Sequence, residues 1–200
     1  MLPSDAKADL HEYLRSARSV MLWKLDGLSE YDMRRPMVAT GTNLLGLVRH
    51  AGSIETGYFG GVFGRPFPEV LPWMEDGEPN GDMWVRADES SRDVVDFCHR
   101  AWAHADATID ALPIDAVGEV SWWPADDRQL TLQRALVHVV TDLARHGGHA
   151  DILRELVDGA VGADPRWSNL PPGEESWWRD YHAKVADAAR RFEPRQMDTR

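Results

Sequence analysis

Within the stretch Leu136 to His149, four side chains of kinds that bind metals or carry protons recur: His138, Asp142, His146 and His149. On a helical wheel at about 100° per residue, His138 lies about 40° to one side of Asp142 and His146 about 40° to the other; His149 is about 20° away. The four share one narrow face. Residues at i and i+4 are about 6 Å apart along the axis, so their side chains can converge on one ion. His138 and His146 are about 12 Å apart, too far to share an ion easily. The candidate pairs are therefore His138/Asp142, Asp142/His146 and His146/His149. Leu132, Leu136, Val139, Leu143, Leu153 and Leu156 flank this stripe, which should be partly buried. Buried charges without partners are costly, and a divalent ion is one way to satisfy them. A histidine on an amphipathic helix is more commonly a surface or hydrogen-bonded core residue. Four ligand types on one face set this stretch apart, whereas His11, His99, His104 and His182 lack such company.

Four long helices must position these residues. The first is expected from Ser4, as N-cap, to about Gly27, with apolar residues from Leu10 to Leu25 stepping at three or four. The second, capped by Thr42 or Asn43, runs from about Leu44 to Gly60 and carries His50 one turn before Ile54. The third opens at Asp88 or Ser90 and ends near Leu112, before Pro113. The fourth runs from near Leu130 to Asp158, with Gly159 as its stop. Between the second and third lies a long loop, Gly60 to Asp88, punctuated by glycine and proline. Loops of this length often serve as lids or pocket walls, and its Phe63, Phe67, Trp73, Met74 and Trp84 should pack on the bundle. After Pro165, Pro171 and Pro172, a fifth helix is expected from Glu174 to Phe192, with Trp177, Trp178, Tyr181 and Val185 available to dock on the bundle. No run reads as a strand. The fold class is all-α, a four-helix bundle with an extra C-terminal helix. Residues 1–162 form the bundle and 163–200 an extension.

Composition narrows the function. The chain has 200 residues, 43% of them apolar, as expected of a globular protein. With 22 Lys plus Arg against 33 Asp plus Glu, the net charge is −11, which disfavours nucleic acid and offers no basic anchor for anionic lipid. No apolar run reaches the roughly 18 to 20 residues of a membrane span. The first residues lack signal-peptide features, and the lone Cys98 excludes an internal disulfide, so cytoplasm is the expected compartment. Cys98 lies on the apolar stripe of the third helix and reads as packing.

The run His138-x-x-x-Asp142-x-x-x-His146-Gly147-Gly148-His149, with Leu44-Leu45-Gly46-Leu47-Val48-Arg49-His50 upstream, resembles the DinB/YfiT superfamily. It is most similar to the actinobacterial branch of mycothiol-dependent maleylpyruvate isomerase and mycothiol S-transferases. Ala144 to Glu155 carries the most specific likeness, Val120-Ser121-Trp122-Trp123-Pro124 adds to it, and the resemblance covers about residues 5 to 160. It implies a four-helix bundle holding a divalent metal, zinc or nickel. Carried over by position, the ligands are His50, Asp142 and His146. Many members have His where Asp142 stands; the isomerase branch has Glu, one methylene longer.

Two nitrogens and one carboxylate form a known metal-binding set that leaves a position open. No catalytic residue is implied beyond the ligands. His138 and His149 become residues that orient a ligand or line the pocket. Tyr58, about 80° from His50 on its helix, can approach the pocket, and Trp84, Trp122 and Trp123 are candidates for its apolar wall. Arg49 and Arg145, each preceding a ligand, suit either an acidic substrate or a solvated face. The implied partners are a low-molecular-weight thiol, mycothiol-like, and an electrophile, with S-transfer or isomerisation as the reaction and homodimerisation as a family habit. A metal-dependent hydrolase and a non-enzymatic binding or stress protein are the competing functions.

Overall fold

The computed structural model describes residues 5–164, 168 and 170–193. Helix α1 (Ala6–Trp23) is capped by Asp5, whose carboxylate accepts from the Lys7 and Ala8 amides. The Ser4 cap expected from sequence lies outside the described residues, as does Pro165. The helix stops at Trp23 and the chain leaves through a turn closed by Gly27 at φ +75°. The stretch read as a simple connection holds a short helix, α2 (Glu30–Arg34), capped by Ser29.

Helix α3 (Leu44–Tyr58) begins at Asn43, whose side chain accepts from the Gly46 amide. Twelve of its 15 residues are buried, as befits a helix surrounded by others. It packs on α5 (Ser91–Ala111), α6 (Leu132–Asp158) and α1, while α1 also packs along α6. A reciprocal Ser90/Asp93 capping box starts α5, and Thr131 and the left-handed Gly159 bound α6. These four long helices enclose the core, including Leu14, Met21, Leu45, Leu47, Phe97, Ile109, Leu136 and Val139.

The chain between α5 and α6 departs from the strandless expectation. Val117–Glu119 (β1) pairs antiparallel with Gln129–Thr131 (β2), Gly118 opposite Leu130. Three residues are too few for an alternating pattern to declare itself in sequence. The hairpin projects the loop that carries Trp122 and Trp123. Of the loop residues expected to pack on the bundle, Phe63, Phe67 and Trp73 do so, joined by Val62 and Leu71, whereas Met74 and Trp84 are exposed. The loop contains helix α4 (Pro72–Glu75) and a 3₁₀ turn, Gly81–Met83. Helix α7 (Glu175–Arg190) buries none of its residues; Trp177 stacks flat on Tyr181. Among the described residues, no helix is long and apolar enough to cross a membrane.

Candidate metal centre

The central helix brings His50 opposite the polar stripe of α6. His50 Nε2 lies 3.5 Å from Asp142 Oδ2, and His146 Nε2 lies 3.6 Å from the same oxygen. The two imidazoles meet edge to face at 4.7 Å. One donor atom from each of His50, Asp142 and His146 lies within 4.8 Å of the others. Of the pairs left open by helical spacing, Asp142/His146 is the one completed by a third donor.

These separations exceed an ordinary hydrogen bond. They are close to the spacing of about 3.3 Å between neighbouring ligands around a tetrahedral ion with bonds of about 2.0–2.1 Å. Asp142 Oδ2 is buried without a hydrogen-bond partner. A buried carboxylate oxygen that faces two imidazole nitrogens without a close hydrogen bond to either is an arrangement a cation would satisfy. The donors present therefore fit a divalent metal.

The charges agree with this geometry. Burial alone would lower the His50 pKa, but Asp142 and Asp82 overcome it and raise it to about 9. Burial opposes ionisation of Asp142, yet His50, His146 and His138 hold its carboxyl below the usual range. Burial, helped by the positive fields of His50, His149 and Arg145, outweighs Asp142 at His146 and lowers its pKa. Cys98 is pushed up to about 12 by burial, and its thiol faces the Val48 carbonyl at 3.3 Å. Its buried, protonated thiol is not poised for nucleophilic attack.

A cavity of about 580 Å³ opens beside the cluster. His50, His138 and Asp142 lie in its wall with Ile54, Tyr58, Phe67, Leu71, Met74 and Trp122. The long loop thus supplies much of this wall. His138 packs its ring at 4.8 Å from Tyr58 and 5.3 Å from Trp123. Trp122 crosses α3 at Gly57, where an added Cβ would come within 3.3 Å of the indole. His149 meets the His146 ring from outside at 5.5 Å. Trp84 is 40% exposed and is not among the residues lining the cavity. Arg49 does not face the cavity; it is buried against Glu89 and the Trp73 ring.

Sequence reasoning missed Asp82. Its carboxylate lies 2.6 Å from His50 Nδ1, on the opposite side of the ring from Asp142. It stands 32 residues along the chain, in a loop whose composition has no period, so no spacing signal could reveal it.

A helical bundle in which one histidine from a central helix faces an Asp-x-x-x-His pair on the last long helix is a DinB/YfiT-like architecture. Among families, the chain matches the model described as Mycothiol-S-transferase over residues 9–159. It belongs to that mycothiol-S-transferase family. No curated protein matches it.

Proposed function

We propose that this protein is a divalent-metal-dependent thiol S-transferase, joining a mycothiol-like thiol to an uncharged, largely apolar electrophile. The observation that carries this reading is the buried Asp142 oxygen that faces two imidazole nitrogens without a close hydrogen bond, at the wall of a cavity. His50, Asp142 and His146 would hold zinc or nickel. Bound there, such a metal favours the thiolate form of a thiol, the nucleophile that S-transfer needs.

The rest of the work falls to the chain itself. Ile54, Tyr58, Phe67 and Trp122 bury the apolar body of the electrophile and exclude water. In the transfer, a sulfur–carbon bond forms as the bond to the leaving group breaks, and the thiol proton leaves to solvent or to His138 at the cavity wall.

The lining favours transfer over isomerisation of a dicarboxylate. Among the described residues, no Lys or Arg lines this cavity, whereas Glu69 and Glu75 do. Glu69 is already engaged by Arg100. Beyond the metal centre itself, a dianionic substrate would find no basic side chain in the wall and would meet two carboxylates there, at considerable cost.

Elemental analysis of untagged protein and of His146→Ala tests the site. Near-stoichiometric zinc or nickel in the native chain, lost in the variant, is the expected result. No metal in the native chain, even after incubation with both ions, would sink the reading and leave a helical binding protein. With metal established, conjugation of a thiol to 1-chloro-2,4-dinitrobenzene should be measurable and should vanish with His146→Ala; hydrolysis of esters without conjugation would instead identify a hydrolase.

A further inference from the structure

We infer that Asp82 is a positioning residue for the metal centre: it accepts the Nδ1 proton of His50 and so presents Nε2 to the ion. The inference rests on the metal reading above and adds a residue to it.

An imidazole has two distinct nitrogens, and the partner of one decides what the other can do. In this structure Nε2 faces Asp142 Oδ2 and Nδ1 faces Asp82 Oδ2 at 2.6 Å. Being on the far side of the ring, Asp82 orients a ligand and does not share in binding the same ion. The contact is short and well sheltered, with about 17% of the Asp82 side chain exposed. A carboxylate accepting from a ligating histidine fixes its tautomer and ring angle and makes its free nitrogen a better donor.

The second line of support is how firmly Asp82 is held. It belongs to the Gly81–Met83 turn, and α3, the helix that carries His50, builds the seat for that turn. Arg49 donates to the Gly81 carbonyl at 3.1 Å, and Asn43 donates to the Met83 carbonyl at 3.2 Å. The Met83 carbonyl lies so close to Gly46 that an added Cβ would sit 1.8 Å from it. Both ends of the turn are therefore fastened to α3, one residue and seven residues before His50. Arg49 is itself held by Glu89 at 2.9 Å and lies over the Trp73 ring at 4.0 Å. The turn is thus fixed relative to the helix, and its one carboxylate meets the one ring nitrogen that faces away from Asp142.

The test compares wild type, Asp82→Ala and Asp82→Asn, with zinc sulfate as the probe and a chelator competition as the affinity measurement. Asp82→Ala should bind zinc about 10 to 100-fold more weakly. Asp82→Asn keeps an oxygen acceptor and should recover part of that loss. In the zinc-loaded wild type, the His50 Nδ1–H should appear as a downfield, slowly exchanging proton resonance; it should be lost in Asp82→Ala and return, shifted, in Asp82→Asn. Circular dichroism establishes that each variant folds, and Asp82→Asn carries the test if the alanine variant does not. Wild-type affinity and an unchanged His50 resonance in both variants would overturn the role of Asp82 while leaving the metal centre intact. Equal weakening in both variants with that resonance unchanged would also overturn it, by assigning Asp82 to loop structure alone. A wild-type chain that binds no zinc would overturn the metal reading and this inference together.

Discussion

At the residue scale, His50 decides how the centre responds to pH. Its pKa is about 9, above the ordinary 6.5, so in the metal-free protein it is protonated at neutral pH. A metal needs the neutral imidazole and must displace that proton. Zinc affinity should therefore rise as pH climbs from 7 towards 9, by up to about tenfold per unit, and level off above. Metal-free protein should behave in the opposite sense. The stabilisation from charged His50 is complete below 6.5 and is lost as pH rises through about 9. Chelator competition and thermal melts between pH 6.5 and 9.5 measure both slopes; a zinc affinity that is flat across this range would contradict the charge state derived for His50. The candidate cluster was legible in sequence because a helix converts spacing into direction: Asp142 and His146 share a face, and the family resemblance supplied His50. Asp82 was not legible, because a loop provides no such rule.

At the element scale, α3 is both the most buried helix and the one that organises the loop. Gly46 is where these roles meet. A Gly46→Ala substitution places a methyl against the Met83 carbonyl, a backbone atom that yields only if the 81–83 turn moves. The variant should be less stable by about 1–3 kcal/mol, the usual cost of overpacking. Urea denaturation measures that loss, and chelator competition should show weaker zinc binding as well, since the displaced turn carries Asp82. Unchanged stability would mean that the turn is not seated as tightly as the carbonyl contact requires. The long helices were readable from apolar periodicity, and their ends from Asn43, Ser90 and Gly159, each performing the capping chemistry of its residue type. The β1–β2 hairpin and α2 escaped because elements of three to five residues derive their stability from what they pack against. That leaves little periodic signal in their own residues. The loop between α3 and α5 was readable as a pocket wall in kind, but not in which residues face inward: Phe67 and Leu71 line the cavity, and Trp84 does not.

At the scale of the whole molecule, a buried ionic network joins three of the four long helices. Arg18 from α1 donates through Nε and Nη2 to both carboxylate oxygens of Glu55 on α3, at 3.0 and 2.5 Å, and through Nη1 to Asp106 on α5 at 2.7 Å. His11 reaches the same Asp106 oxygen at 2.7 Å. Glu55 is fully buried, and burial raises its carboxyl to about 7 even with Arg18 attached. Such a pair gives little net stability compared with a well-packed apolar core, yet removing one partner strands a charge. Arg18→Met should therefore cost about 3–5 kcal/mol at pH 8, measured by urea denaturation. The sign of its pH dependence follows from Glu55. A folded-state value above the ordinary 4.5 means that the folded chain keeps a proton the unfolded chain releases, so stability falls as pH rises through that window. Without Arg18 the Glu55 value moves higher still and the window extends upward. The deficit of Arg18→Met should thus be largest above pH 7 and shrink towards pH 5, where Glu55 stays neutral in the folded variant. A deficit of equal size at pH 5 and pH 8 would show that Arg18 stabilises the bundle by packing, including its position 5.7 Å over the Trp102 ring, and not by charge.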